Sequence, residues 1–176
     1  MILAVDIGNT NIVVGCIDGE NICFVERLST VSTRTELEYA ISFKNILELH
    51  GISIHDLDGG IISSVVPPVT STVKRSMEKI ISHEVMVIGP GVKTGLNILM
   101  DDPRQVGSDR IVNAVAVVHE YPVPAAIIDM GTATTICIVD EKKNYIGGAI
   151  IPGARISADT LTAKTAQLPK ISIEPP

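Results

Sequence analysis

Two short stretches of this chain place a carboxylate, a glycine and neutral hydrogen-bond donors in the same order. Asp6-Ile7-Gly8-Asn9-Thr10-Asn11 and Asp129-Met130-Gly131-Thr132-Ala133-Thr134 each close one apolar run and open another. Glycine has no Cβ, so backbone N–H groups in such a turn can come close to a phosphate. Asn9, Thr10, Asn11, Thr132, Thr134 and Thr135 add neutral donors. The leading acid can hold a divalent cation that offsets phosphate charge. Two such turns facing one another could grip a nucleoside triphosphate. Taken singly, each also reads as an ordinary hairpin whose Asp satisfies turn amides. Repetition favours the phosphate reading, since a further turn acid follows each copy at nearly the same interval, Asp18 and Asp140.

A third constellation is Val106-Gly107-Ser108-Asp109-Arg110, between a long Gly/Pro/Asp-rich stretch and an apolar periodic run. One reading is a helix cap followed by a first-turn acid and a base. The other is chemical. A carboxylate can accept a hydroxyl proton as a phosphoryl group is transferred, and a guanidinium can bind an anionic group.

The elements that must position these residues follow from pattern. Runs at Ile2–Ile7, Ile12–Ile17 and Ile22–Leu28 read as a three-stranded meander, with Asp18-Gly19 as a hairpin turn. Thr35–His50 reads as a helix, with Ser32 or Thr33 as its cap and Gly51 as its stop. Gly60–Val66 reads as a buried strand ended by Pro67-Pro68. A helix over Val69–Ile81 and a strand at Val85–Ile88 follow. Gly89–Gln105 reads as a long loop, the kind that often carries function, and Gly107–Glu120 as a helix. The opening pattern then returns: strands at Ala125–Asp129, Ile136–Val139 and Tyr145–Ile151, and a helix over Ala154–Thr165. The natural boundary is Tyr121-Pro122-Val123-Pro124, giving domains 1–121 and 122–176.

Composition narrows the class. Of 176 residues, 45% are hydrophobic and 19% charged, which excludes a disordered chain. The net charge of −6, without a basic cluster, makes nucleic acid and anionic membrane poor partners. The chain has no Trp, and 3% aromatics leave no stacking platform. No apolar stretch is long enough for a membrane span, and the N-terminus lacks the pattern of a signal peptide. Cys16, Cys23 and Cys137 sit in apolar runs and read as buried thiols of a cytoplasmic protein. His50, His55, His83 and His119 read as solvated. The motifs of P-loop, Rossmann, zinc and serine-hydrolase sites are absent.

Together these motifs resemble type III pantothenate kinases, of the actin, sugar-kinase and acetate-kinase superfamily. The likeness is carried by Asp6–Asn11, Pro90-Gly91-Val92-Lys93-Thr94-Gly95-Leu96, Pro103–Arg110 and Asp129–Thr134, with Gly147-Gly148 and Pro152-Gly153 in order. It implies an α/β chain of two ribonuclease-H-like (actin-like ATPase) domains, with mixed sheets flanked by helices and ATP between them. It implies transfer of a phosphoryl group from ATP to the 4′-hydroxyl of pantothenate, the first step toward coenzyme A. Asp6, Ile7, Gly8, Asn9, Thr10, Asn11, Ile12 and Val13 would form the first phosphate segment, with Asp6 placing Mg²⁺. Gly131 and Thr132 would belong to the second. Asp129 would hold a monovalent cation, K⁺ or NH₄⁺. Gly107, Ser108, Asp109 and Arg110 would contact pantothenate, with Asp109 as general base. Met100 stands where the family usually has a substrate-contacting Tyr.

Family members continue past residue 176, so the resemblance implies an incomplete second domain. Its strands lack helices to cover both faces, and the expectation is a cytoplasmic homodimer joined through that domain. The rival readings are a non-catalytic accessory transcription regulator and an actin-like nucleotide-binding structural protein on the same fold. Asp109 argues against the first, since a regulator needs no base. Gly-Ser-Asp-Arg beside a substrate loop argues against the second.

Overall fold

The computed structural model describes residues 1–89 and 92–173, so Pro90 and Gly91 of the second motif segment lie outside the described residues. The chain divides into two compact units, Met1–Val92 with Gly107–Asp109, and Lys93–Val106 with Arg110–Pro176.

In the first unit, β1 (Ile2–Ile7), β2 (Asn11–Asp18) and β3 (Asn21–Ser29) form the expected antiparallel meander. β4 (Gly59–Ser64) and β5 (Val85–Val87) add parallel strands, giving the order β3-β2-β1-β4-β5. Alternation along β1 and β2 buries Leu3, Val5, Ile7, Ile12, Val14 and Cys16 on one face. β4, the central parallel strand, is buried almost continuously. Helices α1 (Glu36–Leu49) and α2 (Pro67–Glu78) complete this core with Tyr39, Phe43, Leu47, Val69, Val73 and Met77. Burying one such large apolar side chain stabilises by about 1.5–3 kcal/mol.

The cap of α1 is Thr35, not Ser32 or Thr33. Thr35 Oγ1 accepts from Glu38 N–H, and the Glu38 carboxylate accepts from Thr35 N–H at 2.7 Å. This reciprocal box holds the Glu38 carboxyl below its ordinary range. Gly51, at φ +68°, ends the helix. Pro67 and Pro68 stop the preceding strand by opening α2, where their fixed φ suits the first turn. Two residues read as plain from sequence are not. His50 stacks on Phe24 at 4.4 Å between ring centroids and lies 3.0 Å from Glu26. Cys23 is exposed, because it lies on the sheet face opposite its neighbour Phe24, which pairs with Cys16 on the buried face.

The second unit begins earlier than the expected boundary at Tyr121. Its sheet runs β6-β9-β8-β7, and β6 (Asn97–Ile98) comes from the stretch expected to be all loop. β6 pairs in parallel with β9 (Asn144–Pro152), and β9, β8 (Ala133–Val139) and β7 (Ala125–Met130) are antiparallel. Helix α3 (Ser108–Glu120) gives Ile111, Ala114 and Val118 to a core built on Cys137, Val139 and Tyr145. That packing is why most of α3 belongs here. Tyr145 is fully buried, and its hydroxyl donates to Cys137 Sγ at 3.4 Å. Burial, then that bond, pushes the phenol up to about 12. Ile128, Met130, Ile150 and Ile151 are exposed, and α4 (Ala154–Lys164) buries none of its residues. Among the described residues no helix is long and apolar enough to cross a membrane.

Candidate active site

The first turn is set by strand pairing. β1 carries Asp6 to its end, paired with Val13 on β2 and Ser63 on β4. Ile7 and Ile12 are fully buried, so within the segment Asp6–Val13 they can offer a ligand only backbone. Gly8 N–H donates to Asn11 O at 2.9 Å, and a Cβ at Gly8 would lie 3.1 Å from that oxygen. Asn9, Thr10 and Asn11 are exposed at the tip, and Asp6 is half-buried. Thr30, just past β3, grips this turn twice. Its hydroxyl donates to Gly8 O at 2.7 Å and its N–H to Thr10 O at 2.9 Å. The sequence reading missed Thr30, which sits in an unremarkable Ser/Thr-rich stretch.

Gly107, Ser108 and Asp109 belong to the same unit as that turn. Ser108 is buried, and its hydroxyl donates to Ser64 O at 2.8 Å and accepts from Ser64 N–H at 2.9 Å. Ser63 Oγ reaches it at 3.3 Å. One donor and two acceptor sites are thereby used. What position 108 can still offer a substrate is backbone, not the hydroxyl. These bonds tie the start of α3 to the end of β4, beside Asp6 and Ile7 of β1. Asp109 is half-buried, and a side chain at Gly107 would collide with its Oδ1. Glycine at 107 therefore leaves room for the Asp109 carboxylate.

Arg110 falls in the second unit, where its guanidinium donates to Gln105 O at 3.1 Å. Met100 is 37% exposed. Asp102 caps a short 3-10 turn, Pro103–Gln105, and takes a bond from Arg104 Nε at 2.9 Å, which holds its carboxyl below the usual range.

The second turn repeats the first in outline. Gly131 N–H donates to Ala133 O at 3.1 Å, and Gly131 and Thr132 are exposed. Asp129 is exposed near the end of β7 and accepts from Asn113 Nδ2 at 3.2 Å. Gly153, which precedes α4, donates its N–H to Thr132 O at 3.1 Å. A Cβ there would sit 2.5 Å from that oxygen and closer still to Gly131 O. Pro152-Gly153, a motif match that leads into α4, has a further role. Its work is to bring a bare backbone against the turn.

Among the described residues no group of three or more His, Cys, Asp or Glu could hold a metal by itself. A single carboxylate such as Asp6 suits Mg²⁺, which keeps several waters and is usually shared with substrate phosphates.

The comparisons decide the family. The family model described as type III pantothenate kinase matches residues 2–176. The chain belongs to the type III pantothenate kinase family. It is 49% identical over 176 residues to a type III pantothenate kinase of Geobacillus sp. (strain WCH70), covering 100% of this chain and 68% of that protein. It is 48% identical to that of Brevibacillus brevis, covering 100% of this chain and 69% of the relative. Among solved structures, ethanolamine utilization protein EutJ from Carboxydothermus hydrogenoformans superposes with a TM-score of 0.50 at 15% identity, over 92% of this chain and 55% of that one. That likeness shows a shared fold. The family phosphorylates pantothenate in coenzyme A biosynthesis, with ATP as co-substrate and a divalent metal. It is a phosphotransferase, not a transcription regulator or a structural ATPase.

Proposed function

We propose that the chain moves the γ-phosphoryl group of ATP to the 4′-hydroxyl of pantothenate with Asp109 as general base. One observation carries this reading. The Ser108 hydroxyl fastens the segment bearing Asp109 to the end of β4, next to the strand that carries Asp6 and the first turn. A base fixed against the phosphate turn is what phosphoryl transfer needs, since the reaction rests on positioning and charge stabilisation.

The backbone of Gly8–Asn11 and of Gly131–Thr132 binds phosphate oxygens. Asp6 holds Mg²⁺, which supplies positive charge to the phosphates. Asp109 draws the hydroxyl proton as the acceptor oxygen approaches phosphorus. Gly107 and the backbone of Ser108 line the acceptor's place, and Arg110 adds a cation for an anionic substrate group. Asp129, oriented by Asn113, holds the monovalent cation, K⁺ or NH₄⁺. The protein works as a cytoplasmic homodimer joined through its second unit. Neither nucleic acid nor membrane is a partner.

The test is pantothenate-dependent ADP release in Mg²⁺ with sodium, potassium or ammonium as the only monovalent cation. Turnover confined to potassium or ammonium is expected. Equal rates in all three would remove the role given to Asp129.

A further inference from the structure

The turn at Gly8–Asn11 is not held by its own hairpin alone. Two of its carbonyls are drawn toward one residue. Gly8 O takes the Thr30 hydroxyl at 2.7 Å, and Thr10 O takes the Thr30 N–H at 2.9 Å. In a planar trans peptide the C=O and the following N–H point in opposite directions. Drawing Gly8 O and Thr10 O toward Thr30 therefore turns the N–H groups of Asn9 and Asn11 away from it. Two amides on one side of a turn make a concavity suited to an anion.

Thr30 is itself anchored. The next residue, Val31, donates its N–H to Tyr39 Oη at 3.2 Å and accepts from that hydroxyl at 2.9 Å. Tyr39 is fully buried in α1 and belongs to the core of the first unit. The connection runs from a buried aromatic, through the Thr30-Val31 connector, to the exposed tip of the turn.

We propose that Thr30 is a positioning residue for ATP: it presets the Asn9 and Asn11 amides toward phosphate oxygens, and Tyr39 holds it in place. This rests on the reading of Asp6–Val13 as a phosphate segment. Without the Thr30 hydroxyl, Gly8 O loses its partner and the Gly8–Asn9 peptide is free to rotate. The cost then falls on nucleotide binding and not on pantothenate.

The experiment uses Thr30→Val, which keeps the shape and the backbone N–H but removes the hydroxyl. The Mg-ATP dissociation constant is measured by calorimetry, and the KM for each substrate by ADP release. The ATP constants should rise about 2- to 12-fold, the range one net hydrogen bond corresponds to. The pantothenate KM should stay as it was, and Thr30→Ser should restore the ATP constants. Tyr39→Phe, acting from the core, should shift ATP in the same direction, and it serves if Thr30→Val does not fold. Gly8→Ala, which crowds Asn11 O, is measured in parallel. If Gly8→Ala weakens ATP while Thr30→Val and Tyr39→Phe do not, the positioning role is wrong and the phosphate turn stands. If none of the three weakens ATP, the phosphate turn is wrong as well. An equal rise in both substrates' KM would mark a general structural defect and overturn the proposal.

Discussion

Asn113 Nδ2 donates to Asp129 Oδ2 at 3.2 Å, joining the middle of α3 to the end of β7. Asp129 is exposed, so its carboxylate would otherwise sample several rotamers. The amide holds one carboxylate oxygen, and the other is proposed to take the monovalent cation. Asn113→Leu keeps the apolar contacts of the stem and removes the donor. The potassium concentration for half-maximal activity should rise several-fold, with less change at saturating potassium. An unchanged potassium dependence would show that Asp129 needs no such support.

The base assignment makes the sharpest kinetic demand. Asp109→Asn is nearly isosteric, so the clearance that Gly107 leaves is kept, but the amide cannot take a proton. Loss of general-base catalysis costs about 10²–10⁴ in rate. Pantothenate-dependent ADP release should fall by that factor while the fold, read by circular dichroism, is unchanged. Activity within a few-fold of the starting protein would remove Asp109 from the mechanism.

Much of this was legible in the sequence, and the reasons are specific. The apolar alternation of Ile2–Ile7 and Ile12–Ile17 located β1 and β2, because a strand with one buried face must read that way. The duplicated Asp-x-Gly pattern located both strand–turn–strand hairpins, because each copy has the same backbone need. What escaped were groups acting across sequence distance. Thr30 and Asn113 are ordinary polar residues in their local strings, and their partners lie 22 and 16 positions away. Ser108 was legible as part of a motif but not in its role, since only pairing of β4 with β1 reveals that its hydroxyl is spent on Ser64. The domain boundary was misplaced because Pro-rich Tyr121–Pro124 looks like a linker, whereas β6 and α3 join the second core before it.

Gly153 should prove as sensitive as the glycines inside the turns. Its φ is ordinary, so the constraint is space and not backbone conformation. A methyl at this position meets carbonyl oxygens of Gly131 and Thr132, which are main chain and cannot swing aside. Relieving the clash means moving the Gly131–Thr132 turn or the start of α4. Gly153→Ala should therefore destabilise by about 1–3 kcal/mol, as overpacking does, and raise the ATP KM. Chemical denaturation beside steady-state kinetics would check both. Full stability with an unchanged ATP KM would mean that the turn tolerates displacement.

The second unit should also carry an alkaline limit set by Tyr145. Its phenol is buried and donates to Cys137 Sγ, and its folded-state value is about 12 against an ordinary value of 10.0. The folded state therefore holds the proton more tightly than the unfolded chain. By linkage its contribution is fully present below pH 10 and drains away as pH rises toward 12. Tyr145→Phe keeps the buried ring and removes the ionisable group. The variant should start slightly less stable, having lost one weak bond to sulfur, but should lose less stability than the parent between pH 10 and 12. Urea unfolding at a series of pH values, followed by hydrogen exchange of β8 and β9, would read this directly. Parallel pH profiles for the two proteins over that interval would show that the folded state does not hold the Tyr145 proton more tightly than the unfolded chain.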